Sequence, residues 1–186
     1  MIAQTPRLII RNWQASDEEL FYHICSDDKV MEFFPSRRNR EEAREAMSRL
    51  IENIAKTGYG FFAIETKEDN QPVGFAGLAI PELEPFLPKG TVEIGWRLAA
   101  DKWGKGYATE AATELLRLGF EDRRLDEIVS FAVAANTRST AVMKRLGMLP
   151  DPTRDFDHPG VPDSHIHLRR HVLYALSAQQ WRHGRS

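Results

Sequence analysis

The chain has 186 residues, a formal net charge of -2, 42% hydrophobic and 28% charged residues, and one cysteine. That length suits one domain, residues 1–186, with a real core, and the balance of apolar to charged residues argues against disorder. The slightly acidic balance disfavours a nucleic-acid partner, Cys25 alone forbids an internal disulfide, and no apolar run approaches the ~20 residues needed to span a bilayer. No secretory pattern opens the chain. The expectation is a cytoplasmic monomer or homodimer with no membrane contact.

In chain order, Arg7–Arg11 reads as a first strand. Ser16 is placed to cap a helix whose first turn holds Asp17, Glu18 and Glu19, with Leu20, Phe21 and Ile24 on its apolar side. Val30–Pro35 is a short apolar connector. The basic cluster Arg37-Arg38-Asn39-Arg40 reads as a solvated loop before the next helix, not as an anion site. That helix runs from about Arg40 to Lys56, with Ala43, Met47, Leu50 and Ile54 at helical spacing, and Gly58 ends it.

A hairpin follows, Tyr59–Thr66 and Pro72–Ile80, turning near Asp69-Asn70. Residues 81–90 carry three prolines and form a surface loop. Thr91–Leu98 is a strand that feeds a glycine turn and a helix extending to about Asp122. Glu127–Ala134 is a strand, Asn136 opens a short helix ending at Gly147, residues 149–164 are a proline-rich loop, and His165–Leu176 reads as the last strand before a polar tail. His165, His167 and His171 would share one face of that strand. No cysteine or carboxylate set accompanies them at ligand spacing, so no metal is expected.

The stretch Trp103-Gly104-Lys105-Gly106-Tyr107-Ala108-Thr109-Glu110-Ala111 organises the chain. Two glycines flank Lys105 where a helix is about to start. A helix start carries unpaired N–H groups and the positive end of the dipole, and glycine lets that backbone approach a bulky anion. This turn is expected to bind phosphate or pyrophosphate.

The turn also resembles the GxGxA pyrophosphate loop of the GNAT N-acetyltransferases. Three companions strengthen the resemblance. Val92-Glu93-Ile94-Gly95-Trp96 is similar to the strand before that loop. Asn136-Thr137-Arg138-Ser139, continuing to Arg145-Leu146-Gly147-Met148, resembles the second coenzyme A motif. The order of elements agrees. The version with Trp103 and Ser139 is similar to the ribosomal-protein N-terminal (Rim-type) branch, as is the closing stretch from Phe156 to Tyr174.

The resemblance implies an α+β, layered fold. Its central sheet is mixed and mostly antiparallel, twisted, flanked by helices, and splayed between the fourth and fifth strands (Thr91–Leu98 and Glu127–Ala134). It implies direct transfer of an acetyl group from acetyl-CoA, a cosubstrate, to a primary amine such as a protein N-terminus or a small molecule. The cofactor-binding set would be Gly95, Trp96, Arg97, Trp103, Gly104, Lys105, Gly106, Tyr107, Ala108, Thr109 and Asn136. Within it, the backbone of Gly95, Trp96 and Arg97 would supply the oxyanion donor, and Gly95 would suit a bulge or a close backbone approach.

Glu93, on the strand face shared with Gly95 and Arg97, is the expected base. Its alternative is a salt bridge to Arg97. Ser139 is the expected proton donor to the thiolate, because Met143 stands where many relatives carry a tyrosine. Helix capping is the alternative for Ser139 and Asn136. Phe33, Phe34 and Phe86 are expected to wall the acceptor pocket, and Glu32, Asp155 and Asp157 to attract the amine. His158 could assist acid–base chemistry, but a turn residue before Pro159 is the preferred reading. The other functional class compatible with the loop is a non-catalytic acyl-CoA-binding or sensing module.

Overall fold

A nine-stranded sheet organises the molecule. The computed structural model describes residues 2–184. The strands are β1 (Ala3–Gln4), β2 (Leu8–Arg11), β3 (Gly60–Thr66), β4 (Pro72–Ala79), β5 (Glu93–Leu98), β6 (Glu127–Val133), β7 (Leu149–Pro150), β8 (Phe156–Asp157) and β9 (Arg170–Ser177). The helices are α1 (Glu18–Ser26), α2 (Arg40–Thr57), α3 (Tyr107–Arg117), α4 (Thr137–Arg145) and α5 (Ala178–His183). Strand order is β1-β2-β3-β4-β5-β6-β9-β7, with β8 also on β9. Every pairing is antiparallel except β5 with β6.

Local chemistry sets the helix ends. Asn39 accepts the Glu42 N–H at 3.0 Å while Glu42 accepts the Asn39 N–H at 2.8 Å, closing a capping box on α2. Gly58 ends α2 at φ 71°, the left-handed conformation glycine tolerates. Ser16 does not cap α1. Residues Ala15–Asp17 form a 3-10 turn, and Asp17 is drawn inward, 1% exposed, where it accepts the Gln14 N–H at 2.8 Å. The cause is Arg11 on β2. Its guanidinium is 2.7 Å and 2.9 Å from the two Asp17 oxygens and 2.7 Å from Glu65. Those two carboxylates hold the Arg11 proton more firmly than in water.

The sheet carries a core on each face. On one, Ile94 of β5 and Ile64 of β3 pack with Ala111, Leu115 and Leu116 of α3 and with Met143 of α4. On the other, Phe75 of β4 and Ala63 of β3 pack with Phe21, Ile24 and Cys25 of α1 and with Ala43 and Met47 of α2. Phe75 lies opposite Arg97 in register, so Glu93, Gly95 and Arg97 share the α1–α2 face.

Two expectations change at the C-terminal end. His165 and His167 lie in a 3-10 stretch, Asp163–Leu168, and only His171 reaches β9, so the three do not share a strand face. The tail forms α5, whose Trp181 stacks on Phe120 at 5.6 Å, while the last two tail residues lie outside the described residues.

Replacing Asp17 by alanine would leave the Arg11 charge buried against Glu65 alone. Loss of one partner from such a cluster costs about 3–5 kcal/mol. The expected outcome is a fall in Tm on the order of 10 °C, measured by thermal unfolding. A fall of under 2 °C would show that the pair does not anchor α1 to the sheet.

Candidate active site

The site begins where the sheet opens. β5 and β6 pair only at Glu93 and Val129, with the Val129 N–H donating to Val92 C=O at 3.0 Å. On the other edge of β5 the Ala99 N–H donates to Val73 C=O at 3.1 Å. Amides alternate between the two edges of a strand. Odd-numbered residues of β5 therefore bond to β4, and even-numbered ones point toward β6. Past Glu93 the strands diverge, so the N–H and C=O of Trp96 open into the cleft. The next carbonyl on that edge, Leu98, is taken by the Trp103 indole N–H at 3.0 Å.

This geometry narrows the expected oxyanion donor to Trp96, because the Gly95 and Arg97 amides belong to the β4 ladder. Gly95 also forms no bulge, since the β4–β5 register is regular. A Cβ there would sit 2.8 Å from Cε1 of Phe61, so the glycine makes room for that ring.

A cavity of about 1260 Å³ runs through the splay. Trp103, Gly104, Gly106, Tyr107, Ala108 and Thr109 line it from the turn and α3, Asn136 and Ser139 from α4, Glu93, Gly95, Trp96 and Arg97 from β5, and Phe33 and Phe34 from the connector. Three expected site residues lie elsewhere. The Lys105 side chain is exposed, and its C=O accepts from Arg7 Nη1 at 3.0 Å. Glu32 is tied to Arg138. Asp157 is exposed and 3.6 Å from Arg170. Two further acceptor-wall candidates also fall away. Phe86 stacks on Phe156 at 5.8 Å, and Asp155 accepts the Leu173 N–H at 2.9 Å.

The glycine turn has the form an anion needs. Gly104 and Gly106 take φ of 75° and 80°, and a Cβ on Gly104 would meet nothing within 4 Å. Gly106 caps α3 without a side-chain hydrogen bond, so the first N–H groups of the helix are left for a ligand. The one acid in the first turn, Glu110, is engaged elsewhere. It accepts from the Arg7 N–H at 3.0 Å and Arg7 Nε at 2.6 Å, and from the Thr5 hydroxyl.

Glu93 lies at the closed end of the splay, half-buried. Among the described residues it has no hydrogen-bond or ion-pair partner, so the salt bridge to Arg97 does not form. Burial alone pushes its carboxyl up to about 7. Arg97 turns instead toward α1 and the connector, with Nη1 3.4 Å from Met31 Sδ. Asn136 does cap α4, accepting the Ser139 N–H at 3.1 Å through Oδ1, which leaves its amide NH₂ uncommitted. The Ser139 hydroxyl has no protein partner among the described residues and lines the cavity. Met143 is core, 1% exposed.

Comparison with known proteins identifies this architecture. An acetyltransferase (GNAT) domain model matches residues 7–149. The chain belongs to the GNAT acetyltransferases. The uncharacterized N-acetyltransferase YnaD of Bacillus subtilis (strain 168) is 31% identical over 144 residues, 77% of this chain and 80% of YnaD. YdaF of the same organism, provisionally named a ribosomal N-acetyltransferase, is 33% identical over 89 residues, 48% of this chain and 46% of YdaF. The crystal structure of a GNAT-family acetyltransferase from Bacillus anthracis superposes with a TM-score of 0.78 at 26% identity, covering 95% of this chain and 98% of that one. The chain is thus an acetyl-CoA-dependent acyltransferase similar to the Rim-type branch.

Four cavity residues of this GNAT enzyme were not among the expected site residues. Arg138 lies over the Trp103 ring at 4.7 Å and over Phe33 at 5.5 Å, bridging the coenzyme turn and the connector. Arg145 lines the same cavity from the last turn of α4, where its motif position was a usable signal. His158 and His171 face each other at 4.9 Å on the opposite wall. Burial lowers the proton affinity of both. His158 does serve the turn, since its Nδ1 accepts the Gly160 N–H at 3.0 Å, but it also forms part of the site.

Gly106→Ala would force a side chain into the left-handed region, costing about 1–2 kcal/mol, and would displace the N–H groups that cradle pyrophosphate. The expected outcome is CoA affinity at least about tenfold weaker by calorimetry. Unchanged affinity would remove the turn from the binding site.

Proposed function

We propose that this enzyme acetylates a primary amine in a ternary complex, with Glu93 as general base, the Trp96 N–H as oxyanion donor and Ser139 as proton donor to the leaving thiolate. One observation carries the reading. A partnerless carboxylate, Glu93, stands where β5 parts from β6, and the Trp96 N–H, ~10 Å further along β5, opens into the same cleft. The two thus flank the position a thioester would take when its pantetheine arm pairs with the open edge of β5.

In the proposed step the amine nitrogen attacks the thioester carbonyl carbon. Its proton passes to Glu93, directly or through water. The carbonyl oxygen takes up charge against the Trp96 N–H, the C–S bond breaks, and the thiolate recovers a proton from the Ser139 hydroxyl, which solvent restores. The amide NH₂ of Asn136 is free to hold the pantetheine arm while Oδ1 serves the cap. A base near 7 is well matched to an α-amine near ~8 and poorly matched to a lysine amine near ~10.4. We further place the enzyme in the cytoplasm, in keeping with a chain that carries a single, buried cysteine.

Glu93→Gln should lower kcat by about 10²–10⁴-fold with CoA affinity retained. In the parent enzyme kcat/KM should fall with unit slope below pH 7, because protonated Glu93 cannot accept the amine proton. A pH profile flat from 6 to 8 would exclude Glu93 as the base. The variant also has a stability signature. Because folding raises the Glu93 pKa, ionisation penalises the folded state increasingly from pH ~4.5 to about 7 and fully above. The variant should therefore match the parent in Tm at pH 4.5 and exceed it at pH 8.

Ser139→Ala should reduce kcat by about tenfold or more without weakening CoA binding. A kcat within twofold of the parent would leave Ser139 a helix residue only.

A further inference from the structure

We propose that the acceptor is an amino acid bearing a free carboxylate close to its amine, and that Arg97 holds that carboxylate. The inference rests on the acetyl-transfer reading above and names its substrate class.

Arg97 sits on the acceptor face of β5, on the floor of the cavity. Its Nη1 touches Met31 Sδ at 3.4 Å and Cys25 Sγ at 4.0 Å. Its guanidinium carbon lies 4.0 Å from the centre of the Phe34 ring and 5.3 Å from that of Phe75. Among the described residues no carboxylate pairs with it, whereas Arg11, Arg117 and Arg154 each have one or more. No buried side-chain nitrogen of the described residues lacks a hydrogen-bond partner, so the remaining guanidinium nitrogens open to the cavity. The positive charge of Arg38 adds to the field here instead of neutralising it.

A largely desolvated cation met only by sulfur atoms and ring faces is costly to keep. A carboxylate in the cavity would accept a forked pair of hydrogen bonds from it. The spacing suits a small molecule. Gly95 and Arg97 share a face and lie ~6.6 Å apart along the strand, so an anion on Arg97 is a short molecule's length from an amine that attacks beside Gly95 and passes its proton to Glu93 through water. A polyamine or amino sugar would instead set a second cation against Arg97. A protein N-terminus would present a neutral peptide group there. Phe33, Phe34 and Phe131 line the same space, which favours an apolar side chain.

The test compares L-leucine, L-methionine and L-phenylalanine with their amides, and with spermidine, in the parent enzyme and in Arg97→Met and Arg97→Lys. The amide has the more readily deprotonated amine, so preference for the acid cannot come from amine basicity. The expected result is a kcat/KM for the acids about tenfold or more above the amides, expressed mainly in KM. That ratio should collapse toward one in Arg97→Met and be partly restored in Arg97→Lys, with the KM for acetyl-CoA within twofold throughout.

Equal values for acid and amide in the parent, or an undiminished ratio in Arg97→Met, would overturn the proposal while leaving acetyl transfer intact. A second readout needs no turnover. N-acetyl-L-phenylalanine should raise the Tm of the CoA complex, its amide should not, and Arg97→Met should abolish the rise. If that pattern appears without acetylation of any amine, the carboxylate site stands and the transfer reading fails. If no free acid is acetylated and none of these N-acetyl compounds shifts Tm, the carboxylate site is refuted.

Discussion

A sheet that pairs fully has no room for a substrate. Here β5 and β6 are held together at one position, Glu93 with Val129, and then part. Parting strands leaves the backbone amide of Trp96 without a sheet partner, and such a group must find water or a ligand. Everything that makes the site follows from that opening. The edge of β5 is left open as a template for a chain of amides. The core on each face keeps the two halves from closing. Ile94, Met143 and the α3 residues fill one side, while Phe75, Phe21 and the α1–α2 residues fill the other.

The opening also sorts charge. The coenzyme end is cationic and donor-rich, with the free N–H groups of α3 beside Arg138 and Arg145. Glu110, which would oppose an anion there, is neutralised by Arg7 from the far edge of the sheet. The middle holds one carboxylate, Glu93. The acceptor end holds Arg97 among Phe34, Phe75, Met31 and Cys25. Glu93 and Arg97 share a strand face yet do not pair. Four residues apart along a strand, their Cα atoms are ~13 Å from each other, too far for their side chains to meet while each is held by its own surroundings. Keeping them apart leaves both groups free to act on a ligand.

Much of this was legible from residues that act locally. The stop at Gly58 and the paired glycines before α3 each specify backbone conformation by themselves, and each appears as read. That Glu93, Ser139 and Asn136 line the cavity was legible because strand alternation and a short motif place them. The acceptor wall was not. Glu32, Asp155 and Asp157 look like amine attractors in one dimension, but Arg138, Arg170 and the Leu173 amide claim them in three. Ser16 has the right chemistry for a cap. It loses the role because Arg11, distant in the fold pattern, draws Asp17 into the core. His165-Ile166-His167 alternates as a strand does, yet Ile166 is 65% exposed and offers β9 no buried face, so a 3-10 turn prevails.

The position of Glu93 has an energetic consequence that links stability to chemistry. Raising a carboxyl from the usual range to about 7 means that ionising it in the folded protein costs on the order of 3 kcal/mol more than in the unfolded chain. A salt bridge to Arg97 would have removed that cost. The fold instead tolerates an unpaired acid on the floor of the cleft and compensates with anchored elements elsewhere, of which the Arg11–Asp17–Glu65 cluster is the most buried. A carboxyl raised to about 7 therefore needs more than burial. It requires that the nearest cation on the same strand face be occupied by other partners, and the Phe34, Met31 and Cys25 environment of Arg97 does that.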